Sequence, residues 1–243
     1  MVLLVAVVAF LGPTTAQAAP VSGRPAIRSL SVARLDTENG VVLDSLLLQQ
    51  TLILDFPGPL TLSAGIGATR DAIAGSTEYR PSLGGAWVLP ANFYLDGWYS
   101  LYLIDSRLEQ GAALAINFET DRLYVAAREA VRIGSGSFSS VSYIEGSWTW
   151  TEGSFIAAHA ALGLAPDADP EPAGWFKGSW RATGPLAPQV VGSVSKDATG
   201  LNESAGLGCA FYFGASNISL SWEPRFGSRA GQSSINLAAD VRF

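Results

Sequence analysis

The sequence has little charge, almost no lysine and a single cysteine. Charged residues are 15% of its 243 residues, against about 25% in an average soluble domain. The two lysines are Lys177 and Lys196, and the formal net charge is −6, which argues against a nucleic-acid-binding protein with a basic surface. Because Cys209 is the one cysteine, an internal disulfide is excluded.

Long apolar runs are also missing, except near residue 1. The stretch 2–12 is apolar and is followed by Pro13 and by the small-x-small pattern of residues 16–18. It is about half as long as the roughly 20 residues of a membrane-spanning helix. We therefore interpret residues 1–18 as a secretory signal peptide, although no Lys or Arg precedes the apolar stretch. Residues 19–243 would then be a single exported domain.

The sequence is rich in strict alternation of apolar and other residues. One example is the stretch in which Leu60, Leu62, Ala64 and Ile66 alternate with Thr61, Ser63, Gly65 and Gly67. A period of two is typical of a β-strand with one apolar face. The pattern recurs down the chain without any helical periodicity, and it predicts about fourteen strands, with twelve or ten as alternatives. The first strand, near residues 27–35, is the weakest.

The connections between these strands alternate in character. A short set, rich in Pro and Gly, falls at 57–58, 90–92, 119–122, 151–154, 184–188 and 214–216. A longer and more polar set falls at 36–42, 70–76, 105–110, 134–138, 165–173, 196–203 and 225–232. A soluble sandwich has no reason for this alternation, whereas a membrane barrel has short periplasmic turns and longer extracellular loops. We therefore predict an all-β fold, a transmembrane antiparallel up-and-down β-barrel.

The two faces of the predicted strands support lipid as the surrounding medium. The second face is largely Ser, Gly, Ala and Thr, where a soluble sheet would carry Lys and Glu. Aromatic residues of the apolar face cluster near the short turns, as the rings of a membrane-interface girdle do. These expected interface aromatics are Phe56, Trp87, Phe93, Phe118, Trp148, Trp150, Phe213 and Phe243.

The stretch 233–243 alternates apolar and polar residues and ends on an aromatic. Its apolar positions are Ile235, Leu237, Ala239, Val241 and Phe243. This pattern resembles the C-terminal signal of bacterial outer-membrane β-barrel proteins, a likeness that identifies the class but no particular family. The resemblance implies a location in the outer membrane, contact with its lipid, and recognition of this strand by the barrel assembly machinery.

The remaining parity places a set of polar and charged residues inside the barrel. The expected lumen-lining residues are Arg80, Asp96, Trp98, Arg128, Arg132, Glu145, His159, Lys177, Arg181, Asp240 and Arg242. Such residues either wet a channel and set its ion selectivity or pair across strands and hold the barrel's shape. Glu129 falls on the outward parity, and we expect a β-bulge to turn it inward.

Fourteen strands enclose a lumen wider than side chains alone fill, so we predict a small, monomeric, porin-like channel. The alternative is a filled barrel that acts through its surface. A lipid-modifying enzyme is a third interpretation, but His159 is the one histidine and has no obvious acidic partner in the sequence. We expect no catalytic residues, no cofactor, no metal site and no nucleic-acid partner. The acidic stretch 167–172 is expected to be a solvated loop.

Overall fold

The structure, a computed structural model, is a closed barrel of fourteen antiparallel strands. It describes residues 26–38, 42–72, 74–105, 107–134, 137–166, 168–197 and 200–243. The strands are β1 (Ala26–Glu38), β2 (Val42–Asp55), β3 (Leu60–Asp71), β4 (Thr77–Val88), β5 (Phe93–Ile104), β6 (Arg107–Glu119), β7 (Leu123–Gly134), β8 (Ser137–Thr151), β9 (Ser154–Leu164), β10 (Glu171–Ser179), β11 (Leu186–Asp197), β12 (Gly200–Phe213), β13 (Ser216–Gly227) and β14 (Gln232–Arg242). The predicted fold class and strand number are confirmed. The predicted signal peptide, residues 1–18, lies outside the described residues.

The barrel closes where β1 pairs with β14. Their register runs from Arg28 opposite Arg242 to Glu38 opposite Gln232, and the backbone N–H of Phe243 donates to the carbonyl of Ile27 at 3.0 Å. Because the strand number is even, β1 starts and β14 ends at the same rim, which we call the terminal rim; the other is the opposite rim. Closure leaves no sheet edge unpaired, as a bilayer requires of a spanning β-structure.

Large apolar side chains cover the outside of the barrel. Leu83, Leu207 and Ile144 are 66%, 68% and 63% exposed, values that a water-soluble fold would avoid for a whole surface. Successive side chains of a strand point to opposite faces, so the alternation in the sequence places these residues outside. No helix among the described residues is long and apolar enough to cross a membrane.

The expected interface aromatics lie at the ends of strands next to the terminal rim. Trp87, Trp148 and Phe243 are exposed on the outside, whereas Phe56 and Phe118 are half-buried. The rings of Phe93 and Phe118 lie on neighbouring strands, 5.1 Å apart. All of these residues therefore occupy one end of the outer surface.

The connections differ from the prediction at the opposite rim. The turns of the terminal rim fall where they were predicted, for example at 120–122 and 214–215, but the expected loops 105–110 and 196–203 shrink to 105–106 and 198–199. Judged by the strand bounds, the longest connections, 165–170 and 180–185, lie at different rims. The expected contrast in loop length is therefore not found. Polar residues such as Glu109 and Asn202 continue the paired ladder, because backbone hydrogen bonding does not require apolar side chains.

The strand register also corrects one expectation about Glu129. Register shifts between described strands occur at Asp36/Thr37 and at Thr149/Thr151. β7 pairs with both neighbours without interruption through Glu129, which lies opposite Leu114 on β6 and Ser142 on β8. The predicted bulge is wrong, and the side chain of Glu129 is exposed on the outer surface.

Candidate functional site

The inner wall of the barrel carries the candidate functional site. One part of this wall is a row of stacked side chains that extends from β5 to β10. The guanidinium of Arg128 lies 4.1 Å from the ring centroid of Trp98 and 5.2 Å from that of Tyr143. Tyr143 is 4.9 Å from His159, which stacks on Trp175 at 5.6 Å. We call these five residues the inner stack. Offset ring pairs and cation–π contacts of this kind stabilise one another beyond simple burial.

Two carboxylates lie beside Arg128 and His159 of the inner stack. Asp96 lies 3.5 Å from the guanidinium of Arg128 and accepts a hydrogen bond from the amide of Asn117 at 3.0 Å. Glu145 lies 3.8 Å from Nδ1 of His159 and accepts a hydrogen bond from the hydroxyl of Tyr124 at 2.7 Å. Each carboxylate thus has a polar partner within the wall, as partly buried charges require, whereas Oδ1 of Asp96 has no hydrogen-bond partner among the described residues.

His159 differs from the expectation in its surroundings. Glu145 is its direct neighbour across the β8–β9 pair, so the histidine does have an acidic partner, which distance in the sequence concealed. The side chain of His159 is 1% exposed, and neither ring nitrogen is hydrogen-bonded to a described residue. A catalytic histidine contacts a nucleophile, whereas this one contacts two aromatic rings and a carboxylate.

A second cluster surrounds Arg132 near the opposite rim. Its guanidinium lies 3.0 Å from Glu78 on β4 and 2.5 Å from Glu109 on β6, and 4.0 Å from the ring centroid of Tyr102. One cation therefore serves two carboxylates and links β7 to β4, which is three strands away. Arg80, also a predicted lumen residue, donates to Gln49 on β2 at 3.1 Å.

A third cluster lies where the barrel closes, and we call it the seam cluster. Asp36 on β1 accepts hydrogen bonds from Ser45 at 2.8 Å and Ser234 at 2.5 Å. It also accepts hydrogen bonds from Arg34 at 3.0 Å and from Arg225 on β13 at 2.9 Å. The carboxylate thus joins the inner faces of β1, β2, β13 and β14.

The other predicted lumen residues lie apart from these clusters. Lys177 is over the ring of Phe155, 6.0 Å from its centroid. Asp240 lies 3.9 Å from Arg28 and 3.7 Å from Arg242.

Arg181 follows the end of β10 and belongs to a connection at the terminal rim, not to a strand. Its guanidinium lies 3.5 Å from the exposed carboxylate of Glu152 and 4.7 Å from the ring centroid of Tyr212.

Small residues line the inner faces of β11 and β12, between the inner stack and the seam cluster. The hydroxyls of Ser193 and Ser204 are 2.8 Å apart. A Cβ atom at Gly206 would clash with the carbonyl oxygen of Trp222 on β13. Glycine is therefore needed where neighbouring strands approach this closely.

Among the described residues, no three His, Cys, Asp or Glu side chains converge as metal ligands would. Asp167, in the acidic stretch 167–172, lies outside the described residues.

Sequence reasoning missed several members of these clusters. Tyr143, Trp175, Asn117, Glu78 and Glu109 all share the inward parity of their strands, so the alternation pattern contained the signal. The prediction named mainly charged residues, whereas the structure also places neutral rings and further carboxylates on the same wall.

These features define a class of protein, the antiparallel barrels with an apolar outside and a polar inside. No protein-family model matches the chain, and no curated protein matches it. Solved structures do. CdiB from Acinetobacter baumannii is similar with a TM-score of 0.53 and 7% identity over 89% of this chain, which spans 60% of CdiB. The KdgM porin has a TM-score of 0.50 at 13% identity, with 88% of this chain and 99% of the porin covered.

A third similar structure is a bacterial polysaccharide outer membrane secretin, with a TM-score of 0.50 and 12% identity. The match covers 92% of this chain and all of that one. The chain therefore has the fold of outer-membrane β-barrels and is porin-like in architecture. At these identities the likeness concerns the fold.

Proposed function

We propose that the protein is a porin-like channel of the bacterial outer membrane that passes ions or small polar solutes. The observation that carries the proposal is the strand number. Fourteen strands close the barrel. The diameter of a barrel grows with its strand number, and side chains fill the interior of a small barrel but not of a wide one. Ten strands would have favoured a filled barrel.

The distribution of side chains inside the barrel supports the proposal. The inner stack and the Arg132 cluster keep their charges close to the wall through pairing, and the inner faces of β11 and β12 include small residues such as Ser193, Ser204 and Gly206. A wall with paired charges and small polar residues suits the passage of water and small solutes. The similarity to a structure named as a porin is consistent with this function.

The test is single-channel conductance of the refolded mature protein in a planar lipid bilayer. We expect discrete current steps, with the reversal potential under a salt gradient giving the ion preference. The matched control is the same preparation after heat unfolding, which should give no steps. A folded barrel that inserts and remains silent would rule out an open channel.

A filled barrel is the second candidate, and the close packing of some inner residues favours it. His159 and Phe155 are buried, and so is Asp36 in the seam cluster. In that case the barrel would act through its rims or its outer wall. The conductance measurement separates the two candidates.

We further propose that residues 1–18 direct export and are removed. The strand β14, with Ile235, Leu237 and Phe243 on its outer face, would then be the segment that the barrel assembly machinery recognises. The exposed ring of Phe243, at the terminal rim, supports this proposal.

A further inference from the structure

Two arginines lie directly opposite each other on the inner face where the barrel closes. Arg28 on β1 is paired in register with Arg242 on β14, close to the terminal rim. Like charges in directly opposite positions of a strand pair repel each other. Asp240, two residues before Arg242, is the carboxylate that pairs with both. We call these three residues the rim cluster, in which two cations share one anion.

The ion pairs of the rim cluster are long. Nε of Arg28 lies 3.9 Å from Oδ1 of Asp240, and Nη2 of Arg242 lies 3.7 Å from Oδ2. A charge-assisted hydrogen bond is shorter, at about 2.7–2.9 Å. The Nε atoms of both arginines and Oδ1 of Asp240 are buried without a hydrogen-bond partner among the described residues. The cluster therefore has hydrogen-bonding capacity that its own contacts do not use.

The described neighbours of the rim cluster do not balance its charge. Leu30, Val32 and Ala238 separate it from the seam cluster, whose Asp36 already pairs with two arginines. Asp55, at the same rim on β2, accepts a hydrogen bond at 2.9 Å from a hydroxyl of β3. The excess positive charge of the two arginines is therefore directed to the lumen.

Solutes in the lumen can reach the rim cluster. The side chains of Arg28, Arg242 and Asp240 are 12%, 23% and 20% exposed. All three lie on the inner face, and the cluster is next to the terminal rim. A solute therefore meets these side chains at one mouth of the barrel, before it enters the narrower interior.

We propose that the rim cluster binds the phosphate group of a soluble compound, with inorganic phosphate as the simplest ligand. Guanidinium groups bind phosphate oxygens in a bidentate manner, and two adjacent arginines suit a group with several acceptor oxygens. Asp240 makes the site selective. Near neutral pH phosphate retains a hydroxyl that donates to a carboxylate, whereas sulfate has no donor, so that its oxygens and the carboxylate repel each other.

This site goes beyond the channel function. Because it lies at a mouth, a barrel that is filled further inside still presents it, and binding requires no passage through the lumen. The two proposals can therefore fail separately: conductance reports on the lumen, and equilibrium binding reports on the rim cluster.

The first test is isothermal titration calorimetry of the refolded protein in detergent micelles, at neutral pH and constant ionic strength. We expect phosphate to bind about tenfold or more tightly than sulfate. Glycerol phosphate distinguishes the two sources of a phosphate group: affinity equal to that for phosphate indicates a phosphate ester as the ligand, and lower affinity indicates free phosphate. No binding of phosphate, or equal affinities for phosphate and sulfate, would overturn the proposal.

The second test removes the carboxylate. In Asp240→Ala the two arginines remain, so we expect sulfate to bind more tightly than in the wild type. The preference for phosphate should fall to about twofold or less, because the acceptor for its hydroxyl is lost. A surface that attracts anions by charge alone would gain affinity for both anions by the same factor. An unchanged preference in this variant contradicts the role of Asp240.

The third test removes one arginine. Arg28→Gln should weaken phosphate binding by about tenfold or more, whereas Arg122→Gln, in the exposed turn 120–122 of the same rim, should leave it unchanged. Folding of each variant is checked by its heat-modifiable migration on gels. If Arg28→Gln does not fold, Arg242→Gln removes the opposite guanidinium and should give the same loss. Equal affinities in the cluster variant and in Arg122→Gln would contradict the proposed site.

Discussion

Arg132 neutralises two carboxylates of the inner wall. Among the described residues it is the cation that pairs with both Glu78 and Glu109, so its removal takes the counter-charge from both. Arg128, in contrast, forms an ion pair with Asp96 and lies against two aromatic rings that hold its side chain in place. The ion preference of the lumen therefore depends on the acids that pair with its arginines as well as on the arginines themselves.

We predict that Arg132→Ala makes the proposed channel more cation-selective, because unpaired carboxylates in a narrow pore concentrate cations. The K⁺/Cl⁻ permeability ratio should rise by about twofold or more, as measured by the reversal potential in a KCl gradient. Arg122→Ala, in the exposed turn 120–122, is the control and should leave the ratio unchanged. A shift toward anions would contradict this view of the cluster.

At the residue scale, the sequence predicted which face of the sheet a residue occupies better than it predicted which other residue it contacts. Alternation placed Asp96, Arg128, Glu145 and His159 on one wall, and the structure brings those four together. It could not pair His159 with Glu145, because the partner of a residue depends on strand register, and register follows from the turns and bulges of the whole sheet.

The seam cluster gives β1 a role that its sequence did not suggest. β1 was the weakest predicted strand, and in the structure its inner face combines Leu30 and Val32 with Arg28 and Arg34. The contacts of Asp36 with Ser45, Ser234 and Arg225 connect this strand to β2, β14 and β13. The closure of the barrel is therefore stabilised by polar side-chain contacts on the inside as well as by the backbone pairing of β1 with β14.

We predict that Asp36→Asn lowers the free energy of unfolding by about 3 kcal/mol, because it leaves two half-buried guanidinium groups without their carboxylate. Urea unfolding of the protein in lipid vesicles, followed by tryptophan fluorescence, measures the change. Asp121→Asn, in an exposed turn, should have almost no effect. Equal unfolding curves for the two variants would show that the seam cluster contributes little.

Turns of the terminal rim were the elements that sequence predicted best. Pro57, Gly58, Gly153 and Gly214 mark them, and these glycines have positive φ angles of 131°, 77° and 62°, which favour glycine over other residues. The opposite rim also has glycines with positive φ, among them Gly75 and Gly231. There, polar residues belonged to strands that run further than the apolar pattern, so their boundaries could not be inferred from hydropathy.

At the scale of the whole molecule, the even strand number places the start of β1 and the end of β14 at the same rim. This arrangement predicts how the barrel is oriented in the membrane. If the terminal rim faces the periplasm, residue 229 in the turn 228–231 faces the outside of the cell and residue 121 does not. In a Cys209→Ser background, a membrane-impermeant maleimide should label Arg229→Cys in intact cells. It should label Asp121→Cys after lysis only.

The same assay examines the proposed assembly signal. Adding Phe243→Ala should reduce surface labelling of Arg229→Cys severalfold, whereas Phe213→Ala, at the same rim and on the same outer face, should leave it unchanged. Labelling of Asp121→Cys in intact cells would reverse the orientation, and equal labelling with either aromatic removed would exclude Phe243 as part of the signal.

The link from Arg132 to Glu78 also has a mechanical consequence for the barrel. It joins β7 to β4 inside the wall, and the inner stack extends this connected region to β10, while the inner faces of β11 and β12 carry mainly smaller side chains, with Gly206 and Gly208 on β12. The cross-section should therefore be stiff on one side and deformable on the other. Changes in lateral membrane pressure would then alter the shape of the lumen at β11 and β12 first.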